Sequence, residues 1–269
     1  MVRLALIGCG AIGSTIAKMV EDMPEIEAIY LYDRSKRLET DLAASLKKGK
    51  ILEDVVEIIE RSDLVIEAAS QEAAKQYIPV ALEKGKSVLI LSVGALVDSA
   101  FRERIEEIAR RRHRKIYLAS GAIAGIDGVC AAATAGIEEV MLNTIKPPDA
   151  FKTSKYVIDN KINLAAIVKP TVIFEGRAAE AVAHFPQNIN VAATLSLAGI
   201  GFERTLVRII ADPAATRNIH KLFVKGDFGV LEVEVRNVPS PQNPKTSYLA
   251  ALSAVSAIKK IAGTVWVGV

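Results

Sequence analysis

The first half of the chain alternates between two hydrophobic periods. Residues 2–7 form a short apolar run. Ile12, Ile16, Met19 and Val20 then recur at helical spacing, and 26–32 returns to a strand-like run. The alternation continues through a short helical segment at 51–61, a strand at 63–69, a helix at 71–83 and a strand at 87–92. A helix at 98–112, capped by Asp98 or Ser99, and a strand at 115–119 complete it. Strands that alternate with helices predict a parallel, doubly wound sheet of the α/β class.

After Gly125 the texture changes. Residues 126–140 read as a helix leading away from the sheet. A strand-like run at 139–145 ends at Lys146-Pro147-Pro148, and 152–170 is polar and irregular. A strand at 171–176 and a helix at 177–185 follow, the helix stopped by Pro186. Residues 187–198 read as a helix with Asn at its start, and strands are expected at 204–211 and 222–225. The run 230–235 alternates cleanly, as a half-exposed strand does. Pro239, Pro241 and Pro244 mark a loop, and 246–262 is a helix expected to pack back on the first half. The pattern therefore predicts an N-terminal Rossmann dinucleotide-binding domain, 1–125 with 240–269. A second α+β domain with a mixed sheet spans 126–239.

Composition narrows the function. With 269 residues and 51% hydrophobic positions the chain can bury a large core. Basic and acidic residues nearly balance, 34 against 31, which suggests no nucleic-acid or membrane partner. The one basic run, 110–115, ends a predicted helix, where cations suit the dipole. Cys9 and Cys130 are far apart and belong to no Cys/His cluster, so no metal site is expected. Neither a signal-peptide pattern nor a long apolar span is found, and the expected compartment is the cytoplasm.

The strongest chemical signal is Gly8-Cys9-Gly10-Ala11-Ile12-Gly13 between the first strand and the first helix. Gly8 permits a tight turn, Gly10 lets the backbone approach a pyrophosphate, and Gly13 lets helix and strand pack closely. Ala11 and Ile12 open the helix, whose N-terminus offers N–H groups to phosphates. Asp33 ends the second strand twenty residues beyond Gly13, where such folds place the acid that binds a ribose. Asp33 favours NAD; Arg34, beside it, leaves NADP open as a 2′-phosphate partner. Ala68, Ala69 and Ser70 follow another strand end and are expected near the adenosine and pyrophosphate. The loop 120–125 is expected near the nicotinamide.

Only three histidines exist, His113, His184 and His220. His113 lies in the basic run and His184 at a helix end. His220 falls between two predicted strands and reads either as a structural loop residue or as the proton acceptor that a dehydrogenase needs.

The second half resembles the L-aspartate dehydrogenase family across nearly its whole length. The resemblance rests on Ser120-Gly121-Ala122-Ile123-Ala124-Gly125, Lys146-Pro147-Pro148, Phe174-Glu175-Gly176 and the run 185–194, FPQNINVAAT. Ala211-Asp212-Pro213, Asn218-Ile219-His220 and Asn243-Pro244-Lys245-Thr246-Ser247 complete it. It implies oxidative deamination of L-aspartate to iminoaspartate with NAD or NADP. The imine then hydrolyses to oxaloacetate and ammonia or feeds NAD biosynthesis. It also implies His220 as catalytic acid/base and Ala124 and Asn190 as cofactor contacts. The anionic substrate is expected to meet donors from Asn188, Lys245, Thr246 and Ser247. A homodimer through the face of strand 230–235 is expected. Two alternatives remain at this level: a two-domain reductase of the dihydrodipicolinate or homoserine type, and a dinucleotide sensor without turnover.

Overall fold

The computed structural model describes residues 1–185, 189–241 and 243–268, with the backbone alone at 244 and 245. It divides into two units, Met1–Gly121 with Ala250–Val267, and Ala122–Leu249 with residue 268.

In the first unit the elements are β1 (Val2–Ile7), α1 (Ala11–Val20), β2 (Ile26–Tyr32), α2 (Lys36–Ala44), β3 (Gly49–Ile51) and α3 (Val55–Arg61). They continue with β4 (Leu64–Glu67), α4 (Gln71–Glu83), β5 (Ser87–Ile90), α5 (Ser99–Arg112) and β6 (Ile116–Leu118). The six strands form a parallel sheet of order β3-β2-β1-β4-β5-β6. The order reverses between β1 and β4, which opens a crevice at their carboxyl ends. Leu4, Leu6, Ile29, Leu31, Leu64 and Ile66 form the core beneath the sheet with Ile16 and Val20 of α1. The short edge strand β3 has no counterpart in the sequence reading; pairing with β2 takes Ile51 into the sheet, and the helical segment expected at 51–61 begins only at Val55. The basic end of α5 is held in ion pairs, Arg111 and Arg112 both on Glu83.

The second unit holds α6 (Ile126–Ala135), β7 (Ile137–Lys146), α7 (Lys155–Asp159), β8 (Thr171–Arg177), α8 (Ala178–His184) and α9 (Asn190–Ala198). It continues with β9 (Leu206–Ala211), β10 (Asn218–Gly226), β11 (Gly229–Asn237), β12 (Pro239–Ser240) and β13 (Asn243–Ser247). Its mixed sheet has the order β11-β10-β7-β9-β8, with only the β7–β9 pair parallel. The last helix, α10 (Tyr248–Ala262), buries Ala251, Ala254 and Ile258 in the core of the first unit. There Gly121 donates its N–H to Ser253 Oγ at 3.0 Å.

Several sequence expectations are corrected. The helix expected over 126–140 stops at Ala135, because Gly136 takes φ +118 and the chain turns into β7. The irregular stretch 152–170 contains α7 and a short 3-10 turn at 164–166. The strand expected at 222–225 begins at Asn218, since β7 and β11 pair with it on both sides. The proline loop near 239–244 contains β12 and the start of β13, and the helix behind it starts at Tyr248 rather than at 246.

Candidate functional site

The glycine loop joins β1 to α1 over the crevice. Gly8 has φ +104, and a Cβ there would lie 2.7 Å from the Ala68 carbonyl. At Gly13 a Cβ would meet the Gly8 carbonyl oxygen at 1.9 Å. Both positions therefore require glycine for packing alone. Gly10 is different. A Cβ there has nothing within 4 Å, so its backbone borders open space. Gly10 is also the N-cap of α1, with Ala11 and Ile12 in the first turn, whose N–H groups lack intrahelical partners.

That space is a cavity of about 220 Å³ lined by Gly8, Gly10, Asp33, Arg34, Ala68–Ser70 and the Tyr32–Tyr77 pair, among others. The two tyrosine rings meet edge to face at 5.6 Å, with their hydroxyls 3.1 Å apart. Asp33 is fixed on both oxygens: Cys9 N–H donates to Oδ2 at 2.7 Å and Ser35 N–H to Oδ1 at 2.8 Å. Buried Glu39 accepts the Asp33 N–H and the Lys36 ammonium. Arg34 is exposed at the rim. Cys9 is buried, and desolvation with the nearby Asp33 charge pushes its thiol up to about 12, so it is a poor nucleophile.

A residue that the sequence reading passed over organises this crevice. Glu67, the last residue of β4, is fully buried. Its carboxylate accepts from Ala69 N–H (2.8 Å), Ser70 N–H (3.0 Å), Ser92 N–H (3.0 Å) and Ser92 Oγ (2.9 Å). Burial raises its pKa, and these donors pull against that rise. One side chain thus ties together the loops after β4 and β5. Ser70 in turn caps α4, accepting from Ala73 N–H.

In the second unit His220 is a strand residue on β10, opposite Thr144 of β7, and not the loop residue that the sequence allowed. It is 4% exposed, and its Nδ1 lies 3.1 Å from Thr144 Oγ1. Burial first, and the Lys146 charge second, lower its pKa to about 3, so the imidazole is neutral. Lys146, at the end of the same face of β7, is also buried, which lowers its ammonium to about 8. The signal for Thr144 and Lys146 was in the alternation of β7: both are polar at positions where Val140 and Leu142 are core.

The remaining predicted residues are distributed within this unit. Ala124 is exposed in the loop before α6. Asn190 is exposed as the first residue of α9, with Ile189 as the N-cap in place of the expected asparagine. Asn188 lies outside the described residues. Lys245, Thr246 and Ser247 belong to β13, not to a helix start. Thr246 Oγ1 donates to Asn243 O at 2.9 Å. Ser247 Oγ accepts from Asn218 Nδ2 at 3.4 Å, two residues before His220 on the same face of β10. Among the described residues no group of acidic, histidine and cysteine side chains is arranged to hold a metal.

A doubly wound sheet with a glycine crevice, joined to a mixed-sheet unit that carries a buried neutral histidine, defines a two-domain dinucleotide-dependent dehydrogenase. The comparisons with known proteins agree. Residues 8–119 match the family described as "Homoserine dehydrogenase, NAD binding domain". Residues 127–261 match "Aspartate dehydrogenase, C-terminal". L-aspartate dehydrogenases of Methanosarcina mazei and Methanosarcina acetivorans are 49% and 48% identical, each over the full length of both chains. The crystal structure of aspartate dehydrogenase from Thermotoga maritima superposes with a TM-score of 0.80 at 28% identity, again over all of both chains. The chain belongs to the L-aspartate dehydrogenase family.

Proposed function

We propose that this chain oxidises L-aspartate with NAD or NADP, giving iminoaspartate and the reduced cofactor. Water then releases oxaloacetate and ammonia from the imine. The observation that carries this reading is buried His220, held by Thr144, inside the segment that matches the aspartate dehydrogenase C-terminal family.

The crevice of the first unit fits a dinucleotide, since a Cβ at Gly10 would project into open space beside the first turn of α1. Gly8, Gly10, Ala11, Ile12 and Gly13 receive the pyrophosphate on backbone N–H groups. Asp33 accepts from the ribose hydroxyls and disfavours a 2′-phosphate, while Arg34 offers that phosphate a cation; NAD is the preferred form. Ala68, Ala69 and Ser70 line the same crevice; Ala124 and Asn190 are assigned to the cofactor on the family resemblance alone. When bound, the nicotinamide supplies the hydride acceptor for the aspartate α-carbon. His220 takes the proton that leaves the amine, or the proton of the water that attacks the imine. For that, Nδ1 carries a hydrogen donated to Thr144 Oγ1, and Nε2 keeps its lone pair. Asn188, Lys245, Thr246 and Ser247 are assigned to the substrate carboxylates.

We further place the enzyme in the cytoplasm as a homodimer, with its imine product available for NAD biosynthesis. Among the described residues no helix is long and apolar enough to cross a membrane.

The test mixes the protein with oxaloacetate, ammonia and NADH and follows nicotinamide absorbance. Loss that requires ammonia supports the reading. Loss without ammonia marks a hydroxy-acid dehydrogenase instead. No loss with either reduced cofactor overturns the enzyme reading in favour of a sensor.

A further inference from the structure

Strand β11 turns Val233, Val235 and Asn237 to the face that β10 lines with Asn218, His220 and Leu222. Leu222 and Val233 continue the apolar part of that face. Its other end is polar. Asn218 stands directly opposite Asn237, and His220 opposite Val235. His220 and Asn237 are therefore diagonal neighbours, about 7–8 Å apart between backbones.

Asn237 is 3% exposed. Its Nδ2 donates to the Ala122 carbonyl at 3.0 Å, in the loop 120–125 that the sequence sets near the nicotinamide. A carbonyl only accepts, so this bond fixes which way round the amide stands. Oδ1 is the atom left over. It is buried and accepts from no group among the described residues. The polar neighbours are turned to other partners: Asn218 Nδ2 to Ser247 Oγ at 3.4 Å, and His220 Nδ1 to Thr144 Oγ1 at 3.1 Å. A buried amide oxygen without a donor is costly, and such an atom in a native fold calls for a partner.

We propose that Asn237 is a substrate-binding residue, whose Oδ1 accepts an N–H of the substrate's α-amino group beside His220. The proposal rests on the aspartate reading above and adds the amine contact to it. An amine that gives one proton to His220 still carries N–H donors, and the imine product keeps one. An amide oxygen suits them because it accepts a hydrogen bond without taking the proton, so it does not compete with the imidazole. Held at two points, the nitrogen keeps a fixed orientation while the α-carbon gives up its hydride. A ligand that carries the two carboxylates and no amine leaves Oδ1 unserved.

The test uses that difference. With NADH saturating, no oxidation of aspartate runs, and L-aspartate and succinate are compared as ligands by calorimetry. NADH binding itself is followed by fluorescence. Asn237→Ala is expected to weaken L-aspartate by about ten- to a hundredfold, the worth of a hydrogen bond to a charged group. Succinate and NADH are expected to stay within about threefold of the parent, well inside that range. Asn237→Asp keeps an acceptor and loses the donor to Ala122. Its preference for aspartate over succinate is retained, since both ligands meet the new charge with the same two carboxylates. A merely structural asparagine would move both ligands together. If Asn237→Ala does not fold, Asn237→Leu, of similar volume, carries the same comparison. An unchanged ratio of aspartate to succinate affinity in the variant overturns the proposal. So does an NADH affinity that falls with the aspartate affinity, which would assign Oδ1 to the cofactor. A parent that oxidises aspartate while the ratio stays unchanged refutes the Asn237 contact alone. A parent that shows the expected ratios yet reduces no NAD with aspartate refutes the reaction and upholds the contact.

Discussion

At the residue scale the second unit is governed by two titratable groups placed in an apolar face. His220 has a folded pKa of about 3, against about 6.5 for a free imidazole. Its pKa is lowered on folding, so between those values the unfolded chain binds a proton that the native chain does not. Stability contributed by the neutral ring is intact above pH 6.5 and is lost as pH falls toward 3, by about 1.4 kcal/mol per unit. Replacing His220 by Asn removes the titration. The melting temperature of His220→Asn is therefore expected to gain on the parent as pH drops from 6.5 to 4, with its activity abolished at every pH. Parallel melting curves across that range would refute the buried neutral histidine. Lys146 adds a standing penalty. Its folded pKa of about 8 is also lowered, so folding is opposed by the full desolvation cost below pH 8 and relieved as pH rises toward 10.5.

Elements turn these residues into sites. The glycines of the first loop are legible in sequence because steric exclusion at Gly8 and Gly13 is absolute: backbone atoms occupy the volume of any Cβ. Glu67 was not legible. As written, it is one acid at the end of an apolar strand. Its role arises because the parallel register sets it beside Ile7 and Ile90, at the mouth where two loops return. Glu67→Gln replaces one acceptor oxygen with an amide that opposes an N–H donor. The expected result is a loss of about 1–3 kcal/mol of stability, measured by denaturant titration. A weaker NADH titration should accompany it, since Ala69 and Ser70 line the crevice. A variant as stable as the parent, with unchanged NADH affinity, would show that the loops hold their shape without the carboxylate. His220 was misplaced for a related reason. Asn218 disfavours a strand, and the segment 218–220 is extended by pairing with its two neighbours. Boundaries failed elsewhere too, at Gly136, where a positive-φ glycine turns the chain out of the helix, and at β13, where pairing with β12 overrode the local period. The alternating strands and helices of the first unit were easier to read, because strands buried on both faces stand out as unbroken apolar runs.

At the scale of the whole molecule the mixed sheet offers one further surface. The face away from His220 carries an apolar row of Phe223, Met141 and Leu206, in register across β10, β7 and β9. A second row of Ile219, Ile145 and Ile210 runs parallel to it. Between them lies a polar row in which Lys221 pairs with Glu234 at 3.0 Å and Arg208 with Glu175 at 2.9 Å. On β11 the same face carries Val230, 59% exposed, together with Glu232, Glu234 and Arg236, which border the stripes with charge. Two apolar stripes flanking a neutralised polar one suit a second copy of the same face, because each stripe can meet its equivalent across a two-fold axis. Light scattering on a sizing column is expected to give twice the chain mass. Phe223→Asp puts a charge at the end of one stripe without touching the buried face, and is expected to give the mass of a single chain with its fold intact by circular dichroism. A parent of single-chain mass, or a Phe223→Asp variant that stays dimeric, would place the interface elsewhere or remove it.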